Sequence, residues 1–330
     1  MKYTTIFLAL SVLVVVGALG QNSKWELPKA RVSVRVIDEA QSPITSASVR
    51  AVFSSSTNHT DIVPAEGLTD SLGQFIGEGY TDGVIGSWLS KDGYYNGWAT
   101  IPNFQDVKGG RWQPWDATYT TILRKIENPI PMYALVAVVN LPVKGKPCGY
   151  DLKAGDWVAP WGNGLVADFV FTAESRYTNY NHFDSSMKLA FSNPLDGIQP
   201  ANLPPEYAYG EFIWHRQAPE TGYLAGYEQE KGMPGKHYQI PGVPGVQRLE
   251  DVQRQKFYFR VRTDEKDGRI VSALYGKLSA GFEMRIPDQQ ELKIVLYYYL
   301  NPTPLDRNME FDLEKNLFKN LSPMERPRKP

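Results

Sequence analysis

The chain has a single cysteine, Cys148, and four histidines in 330 residues. One thiol cannot close an internal disulfide, so stability must come from core burial. His59, His182, His215 and His237 never fall within five residues of one another, which removes the local pair of most zinc sites. There is no Gly-x-Ser-x-Gly elbow, no Gly-x-x-x-x-Gly-Lys phosphate cradle and no His-Glu-x-x-His. Gly77-Glu78-Gly79 with Gly83 approximates a dinucleotide fingerprint but lacks its strand-to-helix setting, so no cofactor is expected. Nor is there a charge excess: 35 basic side chains stand against 36 acidic ones. Nucleic acid, whose phosphates call for clustered Lys and Arg, is therefore not an expected partner.

What the chain does have begins at its first residues. Lys2 precedes an apolar run from Ile6 to Val16 and a small-residue end, Ala18-Leu19-Gly20, the layout of a secretory signal peptide. That run is shorter than the roughly 20 residues a spanning helix needs. Cleavage after residue 20 would leave Gln21 first and, with Lys2 gone, shift the net charge from −1 to −2. No later segment is apolar enough to span a membrane, and no cysteine near the cut could carry a lipid. A secreted or periplasmic protein of the cell envelope is expected.

Residues 21–30 read as a linker, 31–125 as a first domain, 126–320 as a second and 321–330 as a disordered tail rich in proline and basic residues. The junction falls at Ile126-Glu127-Asn128-Pro129-Ile130-Pro131, whose prolines cannot donate ladder hydrogen bonds. Candidate strands in the second part are Tyr133 to Leu141, Leu165 to Ala173, Met187 to Phe191, Tyr209 to Trp214, Lys256 to Arg262, Ile270 to Tyr275 and Leu292 to Leu300. In the strand from Lys256, Phe257, Phe259 and Val261 share one face, and only that face need be buried. Asn193 to Pro205 and Gly232 to Gly245 read as long loops. Asn308 to Asn320 is the best helical candidate, with Asn308 as cap and Phe311, Lys315 and Phe318 on one face.

In the first domain Val32, Val34 and Val36 alternate with polar residues, Asp38 to Pro43 turn, and Val49, Ala51 and Phe53 resume the alternation. Thr69-Asp70-Ser71-Leu72-Gly73-Gln74-Phe75 and Lys91-Asp92-Gly93-Tyr94-Tyr95 each set an Asp and a Gly before aromatic strand residues. This pattern resembles the carboxypeptidase regulatory-like domain, a transthyretin-like fold. The resemblance covers roughly the 65 to 95 residues of one such module and implies a domain that supports and binds. It does not imply peptidase activity: the third residues after the four histidines are Ile62, Ser185, Ala218 and Ile240, so the His-x-x-Glu zinc ligands are missing. The expected fold class is all-β, a transthyretin-like β-sandwich followed by a second sandwich-like domain.

Aromatic residues are the strongest positive signal for function. Trp88, Tyr94, Tyr95, Trp98, Trp112 and Trp115 crowd the end of the first domain, and Trp157 and Trp161 follow Asp156 in a loop-like stretch. Exposed rings stack on the apolar faces of sugars while neighbouring Asp, Asn or Gln bond to hydroxyls. The ligand-binding candidates are Trp88, Tyr95, Trp98, Trp112, Trp115, Asp156, Trp157 and Trp161. Against this stands the common fate of large aromatics, which is burial in a core.

Asp264-Glu265-Lys266-Asp267-Gly268 fails the spacing of a calcium loop and suits a hairpin turn. Asp306, Glu310 and Asp312, with Arg260 and Arg262, could converge on a polar pocket, although surface ion pairs are their ordinary use. The leading expectation is an exported non-catalytic protein that binds a glycan or a surface partner. The alternatives are an assembly component of the cell envelope and a glycan-acting hydrolase whose carboxylates meet only in the fold. N-terminal sequencing of the exported chain should begin at Gln21; retention of Met1 or Lys2 would remove the leader from this reading.

Overall fold

The computed structural model describes residues 27–54, 64–101, 104–179, 182–233, 237–239, 255–279, 283–285 and 292–330. The leader over 1–20, most of the linker after it, and His59 lie outside the described residues. The protein is all-β, with one 3-10 turn at Pro205–Tyr207 among the described residues.

The first sandwich holds β1 (Lys29–Ile37), β2 (Ser48–Phe53), β3 (Ala65–Leu68), β4 (Gln74–Tyr80), β5 (Ile85–Ser90), β6 (Gly97–Ile101), β7 (Asp106–Lys108), β8 (Arg111–Gln113) and β9 (Ala117–Ile122). Its larger sheet runs β4-β1-β8-β7, with β9 parallel to β1. Its smaller sheet runs β3-β2-β5-β6. The alternation seen in sequence is what packs them: Val32, Val34 and Val36 from β1 meet Val49, Ala51 and Phe53 from β2 in one core. The turn before Phe75 is tied by the Asp70 carboxylate, which accepts the Leu72 and Gln74 amides. Gly73, at φ +72°, has no room for a Cβ beside the Val36 carbonyl.

The second sandwich holds β10 (Ile130–Asn140), β11 (Cys148–Asp151), β12 (Asp156–Trp157), β13 (Phe169–Asn179), β14 (His182–Ala190), β15 (Gly197–Pro200), β16 (Gly226–Met233), β17 (His237–Gln239), β18 (Phe257–Lys266), β19 (Arg269–Leu278), β20 (Glu283–Arg285), β21 (Lys293–Leu300) and β22 (Phe311–Asn316). One sheet runs β15-β18-β19-β21-β10-β22, with β20 on β21, and the other runs β12-β11-β13-β14-β16-β17. Their facing residues, among them Phe169, Phe171, Phe257, Phe259 and Tyr298, form the largest core. β18 and β19 close as a two-residue hairpin in which Asp267 and Gly268 both take positive φ, the geometry that suits strand twist.

Several expectations are corrected. Residues 308–320 are not a helix. Asn308 caps a turn by accepting the Glu310 amide, and Phe311 then pairs with Ile130 as β22 runs parallel to β10. Tyr209 to Trp214 is not a strand but a strap, whose carbonyls accept from the Trp98 amide and the Arg124 guanidinium instead of a ladder. The two stretches read as long loops each contain a strand, β15 and β17. The tail is not loose: the Val136 amide donates to the Glu325 carbonyl, and Tyr299 Oη to the Lys329 carbonyl. β18 is buried on both faces. Phe257, Phe259 and Val261 enter the sandwich core, while Tyr258 enters a second cluster under the strap.

That second cluster joins the sandwiches. Tyr95 from the first packs with Phe212, Trp214, Tyr258, Tyr275 and Met309 from the second. Glu310 is buried there and accepts from Tyr95 Oη at 2.9 Å and from the Glu127 and Asn128 amides, while Arg216 lies 3.3 Å away. Arg124 and Arg216 grip the two oxygens of Glu39 at 2.8 and 2.6 Å. Lys277 is wholly buried beside them, with Nζ donating to the Met309 carbonyl and facing the rings of Phe212, Trp214 and Tyr299.

Burial drives the Lys277 ammonium well below the ordinary lysine value of 10.5, against the pull of Glu310. Because the folded pKa lies below the unfolded one, the charging penalty is full below the folded value and fades as pH rises toward 10.5. The melting temperature of the protein relative to Lys277→Met should therefore climb between neutral pH and pH 10. A flat difference across that range would mean that Lys277 titrates as if exposed.

Candidate functional site

The outward face of the sheet β3-β2-β5-β6 carries Trp88, one of the exposed aromatic side chains. Strand alternation sends Val49, Ala51, Ile85, Ser87 and Leu89 inward, so Ser48, Arg50, Gly86, Trp88 and Ser90 point out. Antiparallel register then lines residues up across the strands: Glu66 opposes Arg50, Arg50 opposes Trp88, and Trp88 opposes Trp98. Trp88 is 55% exposed. The benzo edge of its indole leans back over Gly86, where a Cβ would lie 3.3 Å from the ring. A residue without a side chain two places earlier on the strand is what lets the indole lie along the sheet.

Each flank of this row is closed by charge. Arg50 Nε lies 3.0 Å from Glu66 on one side. On the other, Lys329 Nζ from the tail sits 4.1 Å above the Trp98 ring. Burial lowers the Lys329 ammonium, opposed by the nearby Glu211 carboxylate. Glu211 in turn accepts from the Asn96 amide and its side chain.

One residue pair along the strands the surface dips into a polar cleft of about 380 Å³, lined by Ser46, Ser48, Ser90, Lys91, Asp92, Gly93, Tyr94 and Asn96. Ser48 and Ser90 are cross-strand partners, sharing the outward face with Arg50 and Trp88. Lys91 donates to the Ser46 carbonyl at 3.3 Å. A flat apolar ring beside a recess of hydroxyls, an amide, an ammonium and a carboxylate can stack one hydroxyl-bearing ring and hydrogen-bond another.

The other candidates from sequence are placed elsewhere. Tyr95 and Trp157 are buried at 8% and 6% exposure, Tyr95 in the junction cluster and Trp157 edge-on to Tyr150 and Phe171. Neither offers a ring to a ligand, because each fills a core. Trp112 packs on Phe104 and donates Nε1–H to the Thr81 carbonyl. Trp115 lies under the Arg111 guanidinium. Asp156 orders a loop, accepting the Trp157 and Asn163 amides. Trp161 is exposed on that loop, far along the chain from Trp88 and not part of the first sandwich. Of the eight, Trp88 and Trp98 meet across strands, and Asp156 accepts from the amide of its neighbour Trp157 on the loop that carries Trp161.

The acidic residues singled out from sequence do not converge. Asp306 bonds to Asn301 and Asn308, Asp312 to Lys315, and Glu310 lies in the junction. Arg260 stacks on Tyr223. Arg262 instead makes a two-point contact with Asp168 and a third bond to Asp151, all at 2.8 Å. Burial raises the Asp168 and Asp196 carboxyls despite their donors. It also opposes ionisation of Asp151, but the amides of Leu165, Val166, Ala154 and Lys153 outweigh it and hold that group low. These carboxylates are spoken for by a guanidinium and by backbone amides, which suits a structural node that fixes the loop carrying Trp161. No group of three or more potential metal ligands occurs among the described residues.

Ser48, Arg50, Glu66, Ser90, Asn96 and Lys329 escaped the sequence reading. The alternation that placed Val49 and Ala51 inside already turned Ser48 and Arg50 outward, so part of the signal was present. Which strand lay beside β2 was not.

No family model matches the chain, and no curated protein matches it. Among solved structures, 3-chlorocatechol 1,2-dioxygenase from Rhodococcus opacus 1CP matches at 10% identity over 31% of this chain, with a TM-score of 0.26. The match takes in 62% of the dioxygenase, so this chain spans less than two thirds of it. A "putative carbohydrate binding protein" from Bacteroides uniformis ATCC 8492 matches at 10% identity, covering 84% of this chain and 99% of that one, with a TM-score of 0.19. A DUF3823 family protein from the same organism, also at 10% identity, covers 83% and 99% with a TM-score of 0.16. Overlaps this loose carry no argument, and the site stands on its own geometry. No helix among the described residues is long and apolar enough to cross a membrane.

Trp88→Phe should remove a readily quenched, red-shifted part of the tryptophan emission, measured with acrylamide. Trp157→Phe should leave the quenchable fraction intact. The reverse pattern would place the Trp88 ring inside the protein.

Proposed function

We propose that this is an exported, non-catalytic protein that binds a glycan on the outward face of its first sandwich. The observation that carries the reading is Trp88, more than half exposed and laid along the sheet over Gly86, with a hydroxyl-lined cleft beside it. A large indole left in water is unfavourable on its own account and gains by covering the apolar face of a sugar. Serine hydroxyls and the Asn96 side chain supply donors and acceptors at the rim. Export rests on the leader over residues 1–20, and a cell-envelope location follows from it. The partner that fits is a polysaccharide, met outside the cytoplasm.

Affinity electrophoresis against a set of soluble polysaccharides tests this. The protein should be retarded by at least one of them, and Trp88→Ala should run freely while its melting temperature stays within about 2 °C, as expected for an exposed substitution. Trp161→Ala should remain retarded. Equal retardation of the protein and Trp88→Ala on every polysaccharide, or none for either, would end the reading.

A further inference from the structure

We infer that the face takes a neutral oligosaccharide whose chain runs along β5, one sugar stacked on Trp88 and the next but one seated in the cleft of Ser48, Ser90 and Asn96. This rests on the glycan reading and adds the path, the minimum length and the charge of the ligand.

The path follows from what closes the other direction. Across the strands, the row through Trp88 meets the Arg50–Glu66 ion pair on one side and Lys329 seated on Trp98 on the other. A sugar chain crossing the strands would have to break one of these contacts. Along the strand the way is open: the indole lies back over Gly86, and Ser90 shares that face four residues from Gly86, a span of roughly 13 Å. That span leads into the cleft, and it is of the order of two to three sugar units. The ligand therefore spans about three sugars, with stacking at the first and hydroxyl recognition at the third.

The charge follows from the balance of the face. Arg50 has Glu66, Lys329 has Glu211, and Lys91 adjoins Asp92, both lining the cleft. Each cation has an anion beside it, so an acidic sugar would find no net positive field to offset the desolvation of its carboxylate. Hydroxyl groups pay no such penalty, since the serine hydroxyls and the amide can replace their water.

Calorimetric titration with gluco-, xylo- and manno-oligosaccharides of one to six units, beside oligogalacturonates of the same lengths, decides the matter. At least one neutral series should bind, with affinity rising from the monosaccharide to the trisaccharide and then levelling. Its Kd should hold constant as ionic strength is raised several-fold, because no screened charge pair contributes. Ser90→Leu, which fills the cleft at an exposed position, should weaken the trisaccharide at least about tenfold, toward the monosaccharide value. Ser48→Leu is a second route to the same loss should Ser90→Leu lower the melting temperature. Tighter, salt-sensitive and Trp88-dependent binding of oligogalacturonate would overturn the neutral assignment while leaving the glycan reading in place. Equal affinity for one sugar and for three, or wild-type binding by both leucine variants, would overturn the path. No binding by any series would remove both this inference and the reading beneath it.

Discussion

The two sandwiches depend on a buried ionic and aromatic junction. Glu310 and Glu39 are each held by more than one donor, and their arginines reach across from one sandwich to the other. A charge withdrawn from water costs several kcal/mol unless its partners are in place. Removing any one partner strands another, so the junction is fixed as a unit. Arg124 shows how this reaches the chain: its guanidinium serves Glu39, two carbonyls of the strap, and the rings of Tyr207 and Phe212. The strap needs no ladder of its own because a side chain from the other sandwich donates to its carbonyls.

The candidate site inherits its shape from that junction. The strap delivers Glu211 to Asn96 and the Tyr209 carbonyl to the Trp98 amide, so the edge of the small sheet is anchored by the second sandwich. The tail, tied to β10 and β21, sets Lys329 on Trp98. One tryptophan of a cross-strand pair is thereby covered and its partner left open. The difference between Trp88 and Trp98 lies in their tertiary neighbours, not in their strands.

A second buried charge group, Arg262 with Asp151, Asp168 and Asp196, does different work. Arg262 takes positive φ, a conformation that β-strand residues avoid, and its amide donates to Asp196. The side chain is thereby turned to Asp151 and Asp168, which in turn hold the loop amides. Proximity of carboxylates here is architecture, since their lone pairs are already committed to donors.

The sequence by itself determined the all-β class, the alternating cores and the Asp-Gly hairpin at 267–268, because each is a local matter of side-chain period and backbone freedom. It also brought the aromatic residues forward as binding candidates, without telling an open ring from a buried one. Tyr95 and Trp157 differ from Trp88 only in what other segments bring against them. The same holds for residues 308–320, whose apolar spacing allowed a helix until the free edge of β10 offered Phe311 a ladder. Only the tertiary structure decided strand order, and with it which exposed residues became neighbours: Arg50 and Trp88 are 38 positions apart and meet through register alone. Local pattern fixes which face a residue takes, whereas pairing across strands is a long-range choice settled by packing.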